Sequence, residues 1–381
     1  MTQIEKITGG HAGEAVVLKP TLTLIDNGFS HAVTEYVKDV KNPDKTLIIY
    51  DHNVPAGLSE ESKVYKEILK LAKNYGISFK QAKGIGQKWL LEEGKIKPMD
   101  IVVSGTRHSA VFGSVGALGL GLSETELARV MENGEYQMVV PETVSVNVKG
   151  ELPEGVGIID AALSFLETAG DIKGKAVEFI GESLTQHEKE ALCTMAVDTG
   201  AFTAFALTSE SEVEGQLELN LSETKSMLRM PCEDLLKQTS AEIREAEILK
   251  DEHIHAGQIG GMNGGDIEDL RKAAAMMECH KLKKGFRLSI NPATSRVYIQ
   301  ALEEGLITKF IDYNAQINAA GDHDIVPQGA GAMGPEEKLL TTGLYTFKGA
   351  MGSQKASIYT ASVETIIRAS FAEEDGNGYN I

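Results

Sequence analysis

Three short segments carry residue types that can move protons or hold charge. Asp51-His52 directly follows TLIIY (46–50), a β-branched run that reads as a buried strand. A carboxylate beside an imidazole holds its tautomer and raises its pKa, which suits a general acid near neutral pH. The carboxyl end of a strand is also where open α/β sheets bind ligands. Arg107-His108 closes a polar turn after a second strand, IVV (101–103), and a glycine-rich, helix-like run follows with Gly113, Gly116, Gly119 and Gly121. Such glycines permit close backbone approach and are by themselves a weak anion-site signal. The third segment is GDHD (321–324), in which Asp322, His323 and Asp324 are ordinary ligand types for zinc, iron or manganese. Its bland alternative is a solvated acidic turn. His187 and His280 fall in charged helical stretches and read as surface residues, while His11, His31, His253 and His255 carry no motif.

The elements that must position these residues alternate between short β-branched runs and amphipathic helices, the pattern of α/β layers with largely parallel sheets. Ser59 opens a helix with Glu60 and Glu61 in its first turn; Val64, Ile68, Leu71 and Ala72 give one apolar face, and Gly76 stops it. Ser123-x-x-Glu126 and Thr185-x-x-Glu188 are capping boxes, the first opening a helix that ends at Gly134. The run 139–155 alternates and turns, which predicts a hairpin and a change of domain. FTAFAL (202–207) reads as a strand, and residues 209–250 as a connection plus a surface helix. From 254 the alternation resumes with IHAGQIGG, a helix over IEDLRKAAAMMECHKL, the strand FRLSI and the helix TSRVYIQALEEG. Breaks near 138 and 240 divide the chain into three α/β units, 1–138, 139–240 and 241–381.

Bulk properties narrow the function classes. At 381 residues the chain can hold two or three domains, and 42% hydrophobic with 24% charged residues is ordinary globular composition. A formal net charge of −18 argues against nucleic acid or an anionic membrane as main partner, since both need a basic face. The first residues show no apolar signal-peptide core, and no run approaches the roughly 18 apolar residues of a membrane span. Cys193, Cys232 and Cys279 are odd in number, far apart and free of C-x-x-C spacing, so plain thiols in a cytoplasmic protein are expected.

Several blocks together resemble a known family. GIGQKWLLEEGKIKP (84–98), VVSGTRHSAVFGSVGALGLGLSETE (102–126), VPETVSVNVKGELPEGV (140–156), VEFIGE (177–182), CTMAVDTGA (193–201) and IGGMNGGDIEDLR (259–271) stand in the order of matching blocks of the aconitase superfamily. The resemblance is to the large subunit of isopropylmalate isomerase (3-isopropylmalate dehydratase) and covers residues 12–371. It implies three α/β/α domains around a central cleft, with the swivelling domain absent here and supplied, if at all, by a separate small subunit. It also implies removal and re-addition of water on a hydroxy acid, in the family at one iron of a 4Fe-4S cluster held by three Cys thiolates.

None of those thiolates has a counterpart in this sequence. The family's Ser-Cys-Thr-Asn-Gly is Gly261-Met262-Asn263-Gly264-Gly265, its later C-x-x-C falls at Asp322 and Ile325, and Cys193 lies in a matching block but not at a ligand position. The family turn Gly-Asp-Ser-His is Gly105-Thr106-Arg107-His108. Its histidine after Gly-Ile is Gln87, its Asn and Glu of the CNMSIEAGA block are Thr194 and Asp198, and its two arginines fall at Tyr345 and Ala350 in TTGLYTFKGAMG, beside Lys348. Asp51-His52 is retained, and the resemblance places that pair at the cleft, where it helps protonate the departing hydroxyl.

The expected site therefore comprises Asp51, His52 and His108 for proton transfer, with Arg107, Thr106, Gln87, Thr194, Asp198, Asn263, Tyr345 and Lys348 around the substrate. Arg107 has two readings: it holds a substrate carboxylate in a bidentate fork, or it pairs with a protein carboxylate and fills a vacated cavity. Three function classes follow. The first is a cluster-free hydro-lyase or isomerase of a small carboxylate. The second is a non-catalytic ligand-binding or scaffold subunit paired with a small subunit. The third is a mononuclear-metal lyase using Asp322, His323 and Asp324.

Overall fold

The structure, a computed structural model, describes residues 1–208 and 217–372. Contacts divide the chain into two units: the first holds 1–52, 59–149 and 169–220, and the second holds 53–58, 150–168 and 221 onward.

Unit 1 contains β1 (Ala15–Leu18), β2 (Leu22–Asp26), β3 (Thr46–Tyr50), β4 (Ser78–Gln81), β5 (Ile101–Ser104), β6 (Leu118–Gly121), β7 (Tyr136–Val139), β8 (Thr143–Lys149), β9 (Ala176–Ile180), β10 (Thr203–Leu207) and β11 (Leu217–Asn220). A five-stranded, wholly parallel sheet runs β4-β3-β2-β5-β6. Every residue of TLIIY in β3 is buried, as expected of a parallel strand covered on both faces. From central β2 the chain steps outward through β3 and β4, then returns to β2's other side with β5 and β6. The strand order thus reverses between β2 and β5, a topological switch point where loops at the strands' carboxyl ends part to leave a crevice.

The helix Ser59–Tyr75 buries Ile68, Leu71 and Ala72, and Gly76 follows in the left-handed region (φ 70°). Both capping boxes form, at Ser123 with Glu126 and at Thr185 with Glu188. The glycine-rich run splits into a 3-10 helix, Arg107–Val115, and strand β6. Its glycines serve chain-on-chain packing: a Cβ at Gly119 would lie 1.7 Å from the Ser109 carbonyl oxygen, and one at Gly113 1.8 Å from that of Ala204.

The hairpin expected over 139–155 does not form. β7 pairs antiparallel with β1, whereas β8 joins a second parallel sheet, β10-β9-β8-β11, because its partners are the far segments 176–180 and 217–220.

Unit 2 contains β12 (Met227–Arg229), β13 (Ile243–Glu245), β14 (Ala256–Gly260), β15 (Arg287–Asn291), β16 (Gln316–Ile317), β17 (Lys338–Thr341) and β18 (Ser357–Ala361). They form one sheet, β13-β12-β18-β17-β14-β15-β16, antiparallel only where β12 meets β13 and β18. Its core gathers Leu228, Ile259, Leu270, Phe310, Leu340 and Ile366. Residues 209–216 lie outside the described residues. Across 217–250 the structure shows strands and short 3-10 turns in place of a surface helix. Leu221, Met227, Leu228 and Leu249 are buried there, so that segment contributes to the interior. The helix Ile158–Thr168 also belongs to unit 2, where buried Asp160 accepts the backbone N–H of Gly157 (2.9 Å) and Met227 (2.8 Å).

Candidate functional site

In unit 1, the Asp51-His52 pair sits at the carboxyl end of β3. His52 Nδ1 lies 2.7 Å from Asp51 Oδ1, and Asp51 Oδ2 accepts the Gly86 N–H at 2.9 Å. Asp51 is fully buried, and that burial pushes its carboxyl up; His52 opposes the rise, and the nearby Asp26 charge adds to it. With Nδ1 committed to Asp51, Nε2 is the ring nitrogen that Asp51 does not engage. Nε2 is buried and lies beside Gly28.

The loop after β2 completes this end of the sheet, and the sequence reading missed it. Asn27 Oδ1 accepts the N–H of Asp51 (2.8 Å) and of His52 (2.9 Å), and Asn27 Nδ2 donates to the His52 carbonyl at 2.8 Å. Asp26 accepts N–H groups of Gly28, Phe29 and Ser30 and the Ser30 hydroxyl. The available signal was Asp-Asn-Gly at a strand end, since Asx side chains bond to nearby backbone and favour turns. Asp26, Asp51 and His52 bring ligand-type atoms within 4.8 Å of one another. The oxygens of Asp26 are, however, already given to its own loop.

At the carboxyl end of β5, across β2, stands the Arg107-His108 turn. Thr106 caps the 3-10 helix by accepting the His108 N–H at 3.3 Å. His108 Nε2 lies 3.0 Å from Asp198 Oδ1, both groups buried, and its Nδ1 is 3.4 Å from the Thr106 hydroxyl. Both ring nitrogens thus face protein partners, so His108 anchors the turn onto the 197–198 segment. Arg107 is exposed, donates from Nη1 to the Val197 carbonyl at 3.3 Å, and has no ion pair with a carboxylate among the described residues. This arrangement gives a reason for an arginine directly before the histidine: the histidine fixes the turn and the arginine presents charge from it.

The other expected residues of unit 1 behave differently. Gln87 is buried and reaches the Ser109 hydroxyl at 3.5 Å. The Thr194 hydroxyl is spent inside its own helix, donating to the Glu190 carbonyl at 2.6 Å, which takes it away from a ligand role. A pair absent from the sequence reading, Lys88 with Glu190 at 2.6 Å, is buried beside them, and Gln186 Nε2 donates to the second Glu190 oxygen at 2.9 Å.

In unit 2, Asp322, His323 and Asp324 are buried, which corrects the reading of a solvated turn. Asp322 Oδ1 accepts the Asp324 N–H (2.9 Å), Asp324 Oδ2 accepts the Leu344 N–H (3.1 Å), and His323 Nε2 is 3.1 Å from the Ala319 carbonyl. Asn53 ties this turn down by donating to the carbonyls of Asp322 and Ile325. Asn263 is 1% exposed, and both polar atoms of its amide have no hydrogen-bond partner among the described residues. The glycines flanking it press on Asp324 and Thr342: a Cβ at Gly261 would lie 2.4 Å from Asp324 Oδ1, and one at Gly264 2.2 Å from Thr342 Oγ1. Tyr345 is buried edge-on to Phe347. Lys348 is held in an exposed ion pair with Glu233 (2.7 Å), away from the role expected of it. His280, expected at the surface, is half-buried and stacked 3.9 Å from Phe371.

These donors do not fit an iron–sulfur cluster, which thiolates hold. The segments Gly261–Gly265 and Asp322–Ile325 offer an amide, carboxylates, an imidazole and a thioether, and Asp324 is packed against Gly261. Cys193 is buried, with its thiol pushed well up by that burial; Cys232 is half-buried and likewise raised by burial; Cys279 is exposed.

Parallel α/β sheets with a polar site at a switch point define a class, and known proteins resemble the chain in both sequence and fold. The profile of the aconitase family (aconitate hydratase) matches residues 28–215. An aconitase-family domain thus spans residues 28–215, and along nearly its whole length the chain is similar to large subunits of homoaconitase and 3-isopropylmalate dehydratase. The homoaconitase large subunit of Thermus thermophilus is 29% identical, over 92% of this chain and 89% of its own. The 3-isopropylmalate dehydratase large subunit 1 of Thermotoga maritima is 29% identical over 96% and 95%, and that of Pyrococcus horikoshii 27% identical over 95% and 95%. Among solved structures, aconitase X of Thermococcus kodakaraensis (holo-form) shares the fold. Its TM-score is 0.59 at 14% identity, covering 97% of this chain and 96% of that one. No helix among the described residues is long and apolar enough to cross a membrane.

Proposed function

We propose that this chain is a lyase or isomerase of the aconitase type that acts on a small hydroxy-carboxylate without an iron–sulfur cluster, in the manner of a large subunit that a small subunit completes. One observation carries the reading. A buried-carboxylate histidine, Asp51-His52, and an exposed arginine with no carboxylate ion pair among the described residues, Arg107, stand on strand ends flanking the switch point of one sheet.

In this reading the guanidinium of Arg107 holds a substrate carboxylate in a two-point fork. His52, as the imidazolium, gives its Nε2 proton to the departing hydroxyl. The C–O bond breaks with both electrons on oxygen and water leaves, while the neighbouring C–H yields its proton to water or to a base of the completing subunit and its electron pair closes the C=C. Asp51 balances the imidazolium charge while the proton is held. His108 with Asp198 acts one step back, keeping the Arg107 turn in place. The mononuclear-metal reading has less support, since the His323 ring faces the Ala319 carbonyl.

The test is a thermal-shift screen of the full chain with small di- and tricarboxylates, followed by the same screen on Arg107→Met. A dose-dependent rise in the wild-type chain that Arg107→Met loses supports the proposal. The absence of any stabilising carboxylate, or a rise that survives the substitution, ends it.

A further inference from the structure

The loop Asp26–Ser30 belongs to no motif, yet it touches both strand ends that carry the proposed chemistry. Asn27 makes three hydrogen bonds to the backbone of the Asp51-His52 pair, two through Oδ1 and one through Nδ2. No other side chain of the twenty offers that acceptor and donor at the same reach: aspartate lacks the donor, and glutamine is one methylene longer. Gly28 lies under the imidazole, where a Cβ would come within 2.3 Å of His52 Cδ2. Phe29 meets the same ring edge-on, with centroids 5.4 Å apart and planes at 78°. The loop is itself shaped by Asp26, which accepts three successive N–H groups. Ser30 Oγ then receives the Gly105 N–H at 3.1 Å, at the start of the turn that carries Arg107.

We propose that Asn27 and Gly28 are positioning residues for His52. The amide of Asn27 fixes the backbone of the pair, and the bare Cα of Gly28 seats the buried imidazole, so that Nδ1 stays on Asp51 and Nε2 is turned to the side of the ring that Asp51 does not occupy. Through Ser30 and Gly105 the same loop sets the Arg107 turn relative to that ring. This inference rests on the reading of His52 as the proton donor, but its test uses no ligand and no activity.

The full chain, labelled with 15N-histidine, is examined by long-range proton–nitrogen correlation in the wild type, Asn27→Ala and Gly28→Ala. Recorded at a pH where the ring is neutral, before it takes up the second proton that Nε2 carries in the reaction, the wild-type His52 signal is expected to show one tautomer, protonated at Nδ1. In either variant that pattern is expected to be lost to an average of both tautomers, while the signals of His108 keep their positions. An unchanged His52 in both variants overturns the proposal. So does a change at all histidines alike in both, which would mark a lost fold where the proposal requires a local effect. If Asn27→Ala does not fold, Gly28→Ala is judged by the same criterion. A failed carboxylate screen with a responsive His52 would remove the functional reading alone; a fixed imidazole would remove this one alone.

Discussion

Asp51 and His52 are covalent neighbours that also meet side chain to side chain, at 2.7 Å, whereas Arg107 ends in solvent with no carboxylate ion pair among the described residues. That difference sets the first expectation. Hydrogen bonds to charged groups contribute about 1.5–3 kcal/mol; with water replacing part of the fork at this exposed position, a net loss of about one such bond is expected, so Arg107→Met should weaken carboxylate binding by roughly ten- to a hundredfold. The apo protein's melting temperature should hardly move, since an exposed arginine with one long bond to a carbonyl adds little stability; calorimetry with the best ligand from the screen measures both. Asn263 leads to an expectation for stability alone. A buried amide without partners among the described residues carries a desolvation cost of about 1–3 kcal/mol, so Asn263→Leu should leave the apo chain as stable or more so by chemical unfolding. A variant that lost stability would show that the amide supports the fold.

Individual elements carry two buried electrostatic features that no motif announces. Asp160, at the start of the helix Ile158–Thr168, is pushed up to about 7, mainly by burial, against its hydrogen bonds to Met227 and Gly157. Its folded pKa lies above the unfolded value of 3.8, so the native state keeps a proton that the unfolded state releases first. The contribution is complete below about pH 4 and is lost as pH rises toward 7, about 4 kcal/mol in all at 1.36 kcal/mol per pKa unit. In Asp160→Asn this part of the slope should vanish, which melting temperatures taken from pH 4 to pH 8 would reveal; an unaltered slope would assign it elsewhere. The second feature is Lys88 with Glu190. Removing one partner of a buried pair leaves the other charge buried without that counter-charge and costs about 3–5 kcal/mol. Lys88→Met and Glu190→Leu should each destabilise the chain strongly, and the double variant should be more stable than either single one by chemical unfolding.

For the whole molecule, the aconitase profile covers 28–215, and the large-subunit relatives resemble the chain nearly end to end. The donor set is where this chain departs from the resemblance, since Gly261–Gly265 and Asp322–Ile325 contain no cysteine. Anaerobic loading with iron and sulfide should therefore leave no cluster absorbance in the visible range, and a stable brown holoprotein would refute the cluster-free reading. Its site would then rest on donors other than the amide and carboxylates at Asn263, Asp322 and Asp324.

The sequence by itself determined what sits within a few residues along the chain. The capping boxes at Ser123 and Thr185, the stop at Gly76, the buried strand TLIIY and the contact of Asp51 with His52 depend on local sterics and on hydrogen bonds of short reach. Only the tertiary structure decided which distant groups meet. His108 finds Asp198 across 90 positions, and Asn27 grips a pair 24 and 25 residues away. Strand 143–149 leaves an expected hairpin for far parallel partners, and an acidic turn that looks solvated is buried. Parallel sheets place strand ends side by side regardless of their separation in sequence, and burial then selects which polar groups must pair. Neither is a property of any local window.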